Sequence, residues 1–344
     1  MGTFAEPERV GVAKKSGTTP RAKLVDPGED LAPPQGRSYF ADSSQRPYEF
    51  IHSGSTLLDC VIGGGWPLGR IGNIVGDKST GKTLIAMEAI ANFFLTYPQG
   101  RTAYLEAEAA FDEEYADRLG IPVSQIEFEY ELDTVEQFFK KLESLCKELE
   151  PTKKPALVVL DSLDALSDAA ELERGIDDGS YGAGKAKKMS ELFRRLVRQI
   201  KRTRICLLII SQVRDNIGVT FGKKYSRSGG RALDFYASQV IYLAHLKQLS
   251  MTRRGVKRAY GICIKAKCDK NKIGLPFREC EFEIHFGYGI QDLKSCEEFL
   301  STIKYKGNVA KLTDEQLRET VREEWSALEQ EFLPTETKYP RLEN

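Results

Sequence analysis

The chain has 344 residues, and its 50 Lys and Arg balance its 50 Asp and Glu, so its formal net charge is zero. A charged fraction of 29% and a hydrophobic fraction of 41% are typical of a globular protein, and they exclude a uniformly basic DNA-binding surface. The longest apolar run, Ile205 to Ile210, is far too short to span a bilayer, and the N-terminus lacks the apolar segment of a signal peptide. We therefore expect a cytoplasmic protein with no membrane partner, built as about two domains or as one large domain with tails.

The seven cysteines are scattered along the chain and form no CxxC pair. This pattern disfavours a zinc site and favours reduced thiols.

Residues 1–36 are polar and interrupted by prolines, with little periodic apolar signal. This composition predicts a disordered N-terminal arm. Aromatic residues appear between Tyr39 and Ile51, so we expect ordered structure to begin there. The spacing of apolar residues between Leu57 and Ile62 then predicts a short helix with Ser55 or Thr56 as its N-cap.

An apolar run, Ile71–Val75, predicts a buried strand, and Leu84–Phe94 predicts a helix. Between them lies an octapeptide with the residue pattern and context of a phosphate-binding loop. The expected nucleotide contacts are Gly76, Asp77, Lys78, Ser79, Thr80, Gly81, Lys82, Thr83 and Leu84.

The chemistry of this loop follows from its residue types. Gly76 and Gly81 let the backbone turn until its N–H groups face phosphate oxygens, beside the positive end of a helix dipole. Lys82 can reach the β- and γ-phosphates, and the Thr83 hydroxyl can ligate Mg²⁺.

Strands and helices alternate along the rest of the chain, which predicts an α/β fold with a largely parallel central sheet flanked by helices. The expected strands are Thr102–Leu105, Ala156–Leu160, Ile205–Ile210, Val240–Leu243, Tyr260–Ile264 and Glu281–His285. The expected helices are Thr134–Glu150, a stripe from Met189 to Ile200, and Thr313–Phe332.

Three polar residues follow the ends of expected strands. Asp161 is the expected second Mg²⁺ anchor beside the phosphate loop. Glu108 is a candidate for activating water, and Gln212 is a candidate sensor of the γ-phosphate. The residues alone leave Glu108 equally consistent with a solvated turn carboxylate, and Gln212 with an ordinary polar strand end.

Six segments occur together in one order: GDKSTGKT, YLEAEAAFDEEYADRLG, LVVLDSLDAL, LLIISQVRDNIGVTFG, SGGRALDFYAS and KNKIGLPF. From about Ser53 to Ile290 the chain resembles the core of the RecA-type homologous recombinases, and phage-borne or diverged bacterial members more than eukaryotic ones. The resemblance implies a RecA-like P-loop ATPase core over residues 37–290 and a C-terminal helical tail over 291–344.

The resemblance also implies roles for individual residues. It implies that Glu108 activates water, that Gln212 senses the γ-phosphate, and that Asp112 and Tyr115 contact adenine. It further implies that three residues act on the ATP of a neighbouring subunit: Lys270 and Lys272 on its phosphates, and Phe286 on its adenine.

Two glycine-rich segments, Glu171–Lys188 and Val213–Arg231, are flexible connectors on composition alone. The resemblance implies that they are DNA-binding loops whose contacts with DNA do not depend on base sequence. The implied contacts are Tyr181, Gly182, Lys187 and Arg194 for the first loop, and Arg214, Ile217, Gly218, Phe221, Gly229 and Gly230 for the second.

The segment Lys247–Lys272 is strongly basic and contains Asp269 as its single acidic residue. It is a candidate electrostatic surface for DNA, and the alternative is a solvated hairpin. Lys265 and Lys267 match residues that guide duplex DNA in the family, whereas two further basic positions of that patch are Ala244 and His245 here.

The resemblance implies a DNA-dependent ATPase that uses ATP and Mg²⁺. It implies helical filaments on single-stranded DNA, pairing with homologous double-stranded DNA, and strand exchange. It also implies partners such as single-strand-binding and loading proteins, in the cytoplasm near the nucleoid or in the host cytoplasm for a phage protein. The alternatives are a ring-forming helicase on the same fold and an ATP-gated, non-catalytic DNA scaffold or recombination mediator.

Overall fold

The computed structural model describes residues 48–109, 111–172, 183–215, 225–227, 230–335 and 338. The expected disordered arm over residues 1–36 lies outside them. All seven cysteines are free thiols, and six of them are buried.

Helices and strands alternate along much of the chain. The helices are α1 (Thr56–Ile62), α2 (Lys82–Thr96), α3 (Glu113–Arg118), α4 (Val135–Leu149), α5 (Ala169–Leu172), α6 (Ala183–Thr203), α7 (Gly230–Tyr236), α8 (Asp292–Thr302) and α9 (Asp314–Glu331). The strands are β1 (Phe50–Ile51), β2 (Trp66–Pro67), β3 (Ile71–Gly76), β4 (Arg101–Glu106), β5 (Ile126–Glu129), β6 (Ala156–Asp161), β7 (Ile205–Asp215), β8 (Tyr225–Arg227), β9 (Gln239–Arg253), β10 (Val256–Asn271), β11 (Glu279–His285) and β12 (Gly289–Ile290).

One large sheet contains most of these strands, in the order β12-β11-β10-β9-β3-β7-β6-β4-β5. The strands from β9 to β5 in this order run parallel, whereas β10, β11 and β12 are added antiparallel at one edge. The predicted α/β class with a mostly parallel sheet is therefore confirmed. Because the central strands are covered on both faces, they are continuous apolar runs rather than alternating ones.

Helices cover both faces of the sheet. Alternate residues of each strand point to opposite faces, so Ile74 packs with α1 and α2, whereas Val75 packs with α4 and α6. On the α4 side, Phe139 and Phe193 meet edge to face with their ring centroids 5.0 Å apart. Each face of the sheet thus carries its own apolar core.

The residues after Ile290 form two helices, of which the sequence predicted only the second. Leu317 and Val321 of α9 are buried in the core cluster that contains α1. Asp292 of α8 accepts hydrogen bonds from Thr56 N–H (2.6 Å) and from Arg318 Nε (2.9 Å). Both C-terminal helices therefore pack on the helical layer that contains α1.

Candidate nucleotide-binding site

The loop between β3 and α2 has the geometry of an anion cradle. Ser79 and Gly81 both adopt left-handed backbone angles, with φ of 56° and 82°. A Cβ atom added at Gly76 would lie 2.4 Å from Thr80 Oγ1, so glycine is required at that position. The first turn of α2 has no side-chain cap, and its N–H groups remain available to an anion.

Lys82 is held close to this loop. Its Nζ donates to the Asp77 carbonyl at 2.7 Å. Burial lowers the pKa of Lys82, and the negative charges of Asp161 and Glu108 oppose that shift. A partly desolvated ammonium group interacts more strongly with a phosphate than a hydrated one does.

Asp161 ends β6 inside the sheet and is only 5% exposed. Its Oδ2 accepts hydrogen bonds from Thr83 Oγ1 (2.7 Å) and Tyr104 Oη (2.8 Å). Burial raises the pKa of Asp161, and these two hydrogen bonds oppose the shift. Since the Thr83 hydroxyl donates its proton to Asp161, its lone pairs are left for a cation. An all-oxygen donor set of this kind fits Mg²⁺, which takes most of its remaining ligands from water and phosphates.

Glu108 and Gln212 are brought together at the same edge of the sheet. Gln212 Nε2 donates to Glu108 Oε1 at 2.9 Å, and the Ser162 hydroxyl donates to the same oxygen. The Gln212 N–H in turn donates to Asp164 Oδ2 at 2.6 Å. Glu108 itself is exposed. A carboxylate oriented by two donors and open to solvent is suited to accept a proton from water.

Asp112 and Tyr115 lie at the start of α3, the helix that follows β4. Asp112 is the N-cap of α3 and accepts a hydrogen bond from the Tyr115 N–H at 2.9 Å. Phe286 is 57% exposed and lies in the turn after β11. That turn contacts α3 of the same chain, because a Cβ added at Gly287 would lie 3.7 Å from Arg118 Nη1. Within one chain, the turn that carries Phe286 lies beside α3. The contact of Phe286 with the adenine of a neighbouring subunit stays a prediction.

Glu88 is a half-buried carboxyl group on the helix that follows the phosphate loop, and the sequence analysis missed it. It lies on α2, and its Oε1 accepts a hydrogen bond from the Ile290 N–H at 2.9 Å. Cβ atoms added at Gly54 or Gly289 would lie within 2.7 Å of its carboxylate oxygens, so two glycines make room for it. Burial raises the pKa of Glu88 to about 7. No residue pattern in α2 distinguishes this glutamate from one on the surface.

We expect Glu88→Gln to remove a pH dependence of stability. The ordinary pKa of a glutamate is 4.5, and that of Glu88 in the folded chain is about 7. Between these two pH values the folded chain binds more protons at Glu88 than the unfolded chain does. Stability therefore falls as the pH rises through that window, by on the order of 1–3 kcal/mol. The neutral amide keeps an oxygen for the Ile290 N–H, so the variant should be more stable than the wild type above pH 7.

Urea denaturation across this pH range measures the effect. Glu297→Gln, which removes an exposed carboxylate from α8, is the matched control and should keep the wild-type pH dependence. If the free energies of unfolding of Glu88→Gln and the wild type change with pH in parallel, Glu88 is not the source of the pH dependence.

Lys270 and Lys272 lie far from the phosphate loop of their own chain. In the sheet, Asn271 pairs with Gln239, which pairs with Gly72 near the start of β3. The phosphate loop begins four residues later, at Gly76, which is about 13 Å along the strand. Both lysine Nζ atoms donate to the Phe235 carbonyl at the end of α7, each at 3.0 Å. If these lysines act on a nucleotide, it is not the one bound to the same chain.

The residues assigned to DNA are only partly within the described chain. Lys187 and Arg194 are exposed on one face of α6, at i and i+7. Lys265 donates to Glu279 Oε1 at 2.5 Å, whereas Lys267 is exposed. Arg214 lies in β7, and Gly230 begins α7. The other assigned residues lie outside the described residues: Tyr181, Gly182, Ile217, Gly218, Phe221 and Gly229.

Two further features are absent from the described residues. None of their helices is long and apolar enough to cross a membrane. Nor do three or more of their His, Cys, Asp and Glu side chains cluster as a metal site would require.

Comparison with known proteins identifies the family. The family model described as the RecA N-terminal domain matches residues 38–291. Protein RecA of Prochlorococcus marinus (strain NATL1A) is 36% identical over 252 residues, which are 73% of this chain and 64% of that protein. Protein RecA of Rippkaea orientalis is 36% identical over 249 residues, which are 72% of this chain and 68% of that protein. Protein RecA of Streptomyces venezuelae is 35% identical over 250 residues, which are 72% of this chain and 63% of that protein.

These matches span 63–68% of the length of the relatives, and the residues matched by the family model, 38–291, include the phosphate loop and the strand ends described above. The chain belongs to the RecA family.

Proposed function

We propose that the chain is a DNA-dependent ATPase that forms helical filaments on single-stranded DNA and catalyses homologous pairing and strand exchange. The observation that carries the proposal is the grouping of Lys82, Thr83, Asp161, Glu108 and Gln212 at one edge of the sheet. Two hydrogen bonds, Thr83–Asp161 and Gln212–Glu108, join four of these side chains in two pairs.

In this proposal the N–H groups of the loop and the Lys82 ammonium group bind the β- and γ-phosphates of ATP. Thr83 and Asp161 would hold Mg²⁺, which would supply positive charge to offset the negative charge that develops on the phosphate oxygens. Glu108 orients water and takes its proton, and Gln212 exchanges its hydrogen bond with Glu108 for one with the γ-phosphate.

The position of Lys270 and Lys272, set by the pairing register of β10, supports a role for subunit assembly in ATP hydrolysis. Lys270 and Lys272 lie at the end of the sheet opposite the phosphate loop, so cations from one subunit can complete the site of the next. A cation supplied across an interface stabilises phosphate charge only when two subunits dock. ATP then favours the filament because it makes contacts in the assembled state that a single chain lacks.

Single-stranded DNA is the proposed activator, because both glycine-rich segments begin near this edge. The first follows β6, and the second follows β7, whose Gln212 contacts Glu108. Because the second segment begins directly after Gln212, we infer that DNA bound by this segment couples to hydrolysis through Gln212 and Glu108. Loading proteins and single-strand-binding proteins are the expected partners.

Electron microscopy with single-stranded DNA and ATP tests the proposal, together with phosphate release. We expect helical filaments and hydrolysis that depends on DNA. Closed rings would favour the helicase alternative. ATP-dependent assembly without DNA-stimulated hydrolysis would favour the scaffold alternative.

Lys270→Ala tests the contact across subunits in the same assays. We expect DNA-stimulated hydrolysis to fall about tenfold or more, because a hydrogen bond to a charged group is worth about 1.5–3 kcal/mol. The residual hydrolysis by dilute protein without DNA should be unchanged. An equal fall in both conditions would contradict the role across subunits. Lys147→Ala, which removes an exposed lysine from α4, is the control.

A further inference from the structure

A short segment after β6, residues 162–166, contacts both members of the candidate catalytic pair, Glu108 and Gln212. The Ser162 hydroxyl donates to Glu108, and Asp164 Oδ2 accepts from the Gln212 N–H at 2.6 Å. Glu108 and Gln212 are themselves joined by a hydrogen bond of 2.9 Å. The proposed base and the proposed γ-phosphate sensor are therefore both held by side chains of one stretch of chain.

The contact of Asp164 with Gln212 takes the place of a backbone hydrogen bond in the sheet. Regular pairing of β6 with β7 ends before this point, and the Leu163 N–H still donates to the Ile210 carbonyl at 3.1 Å. At Gln212 the acceptor is instead a side-chain carboxylate. Such a hydrogen bond is roughly twice as strong as one between neutral groups, and a single substitution removes it.

Lys185 of α6 contacts the main chain of the same segment. Its Nζ donates to the Leu163 carbonyl at 3.1 Å and to the Leu166 carbonyl. Lys185 is half-buried, and the side chains of Leu163 and Leu166 lie in the core that also contains Met189 of α6. The 162–166 segment is thus joined to α6 by charge-assisted hydrogen bonds as well as by apolar packing.

Beyond the segment, Ser167 is anchored on the start of α4. Its N–H donates to the Asp133 carbonyl, and its carbonyl accepts from the Val135 N–H, each at 2.9 Å. The segment therefore has one fixed end in β6 and another at Ser167. Lys185 contacts it between these two ends, where the position of Asp164 is determined.

The helix that carries Lys185 also carries residues proposed to contact DNA. Residues two apart in a helix point about 200° apart, so Lys187 faces away from Lys185. Lys187 is exposed, and so is Arg194 on the same helix. A DNA strand bound to the outer face of α6 would thus contact the helix whose inner face holds the 162–166 segment.

We propose that Asp164 and Lys185 are positioning residues for ATP hydrolysis, which hold Glu108 and Gln212 in place through the 162–166 segment. The inference rests on the proposed function, since it concerns how the hydrolysis step is regulated. DNA bound to α6 then reaches Glu108 by a route that is separate from β7. Both residues act on turnover and leave ATP binding to the phosphate loop.

The first test compares Asp164→Ala and Lys185→Met with the wild type in the full-length chain. Loss of either contact lets Glu108 and Gln212 shift, and a misplacement of about 1 Å costs on the order of 10²-fold in rate. We expect kcat of DNA-stimulated hydrolysis to fall by about 10–100-fold, whereas KM for ATP stays within about twofold. Asp164→Asn keeps an oxygen for the Gln212 N–H and should regain most of the rate.

Two control variants remove like charges elsewhere. Asp314→Ala removes an exposed carboxylate from the start of α9, and Lys201→Met removes an exposed lysine from the last turn of α6. Both should hydrolyse ATP like the wild type. Equal falls in the controls and in the test variants, or a wild-type kcat in Lys185→Met, would refute the positioning role.

A double variant tests whether the two residues act by one route. Residues that act through a shared segment are not additive, so Asp164→Ala combined with Lys185→Met should lie within about twofold of the slower single variant. If the two falls in kcat multiply, Asp164 and Lys185 act independently and the shared route is wrong.

Amide hydrogen exchange gives a readout that needs neither nucleotide nor DNA. Asp164→Ala removes the acceptor of the Gln212 N–H, so exchange at this amide should become faster. Lys185→Met should have the same effect, although Lys185 lies on another element. Mass spectrometry of peptides from β7 measures the rates, and an unchanged rate at Gln212 in Lys185→Met would contradict the link.

The two readouts separate this inference from the proposed function. If the wild type shows no DNA-stimulated hydrolysis, the proposed function fails, and exchange at Gln212 still decides whether Lys185 and Asp164 hold it. If hydrolysis is stimulated by DNA in the wild type and equally in both single variants, the proposed function stands and the positioning role is refuted.

Discussion

Replacement of Lys82 by alanine is expected to lower ATP affinity about 100-fold and to abolish ATP-dependent filaments. Lys82 is the cation whose Nζ lies against the phosphate loop, 2.7 Å from the Asp77 carbonyl. A hydrogen bond to a charged group is worth about 1.5–3 kcal/mol, and partial desolvation of Lys82 puts its contact at the upper end of that range. Titration with a fluorescent ATP analogue measures the change in affinity, and electron microscopy measures assembly.

Two further variants make the result specific. Lys147→Ala removes a lysine from the exposed face of α4 and should bind ATP like the wild type. Lys82→Arg keeps the charge but brings a planar guanidinium into a space shaped for an ammonium group, so we expect a partial decrease in affinity. Filaments of Lys82→Ala that form in ATP as readily as wild-type filaments would contradict the role of the loop.

The elements that sequence predicted well are those whose signal is local. β3, β6 and the start of β7 are short apolar runs, and α4 and α6 have clear helical periodicity. Thr134 caps α4 through a capping box with Gln137, a start signal that depends on two residues in one turn. These local signals also predict where each apolar run stops, but β7 continues past its apolar run to Asp215 and therefore contains Gln212.

The parts that sequence analysis missed depend on contacts between distant segments. The expected strand Val240–Leu243 is the start of β9, which continues to Arg253. Its outer half pairs only with β10 and is mostly exposed, with Leu249 as its buried residue, so it lacks the regular apolar alternation that marks a strand. Glu88 is half-buried because Gly54 and Gly289 leave space for its carboxylate, and those residues are remote in sequence.

The roles of the polar site residues could not be decided from the sequence alone for a similar reason. Glu108 was equally consistent with a solvated carboxylate, because nothing near it in the sequence indicates which groups it contacts. The structure joins it to Ser162, which follows the end of β6, and to Gln212, which lies three residues before the end of β7. Parallel strands bring such ends together, and this convergence is the information that a linear pattern lacks.

Replacement of Glu108 by glutamine is expected to separate ATP binding from turnover. Glutamine cannot take a proton from water, so we expect the rate of DNA-stimulated hydrolysis to fall by about 10²–10⁴. ATP affinity should stay within about twofold of the wild type, because the loop N–H groups and Lys82 carry the binding. The amide oxygen of the variant can still accept hydrogen bonds from Gln212 and Ser162, so the local structure should persist.

Phosphate release and nucleotide titration measure the two effects in one preparation. Glu131→Gln removes an exposed carboxylate from the loop after β5 and should hydrolyse ATP normally. With hydrolysis blocked, ATP stays bound between subunits, and filaments of Glu108→Gln should outlast wild-type filaments after free ATP is removed. Unchanged turnover would exclude Glu108 as the base. If the filaments of Glu108→Gln and of the wild type have equal lifetimes, hydrolysis does not control disassembly. Contacts made by ATP would then not be what holds the subunits together.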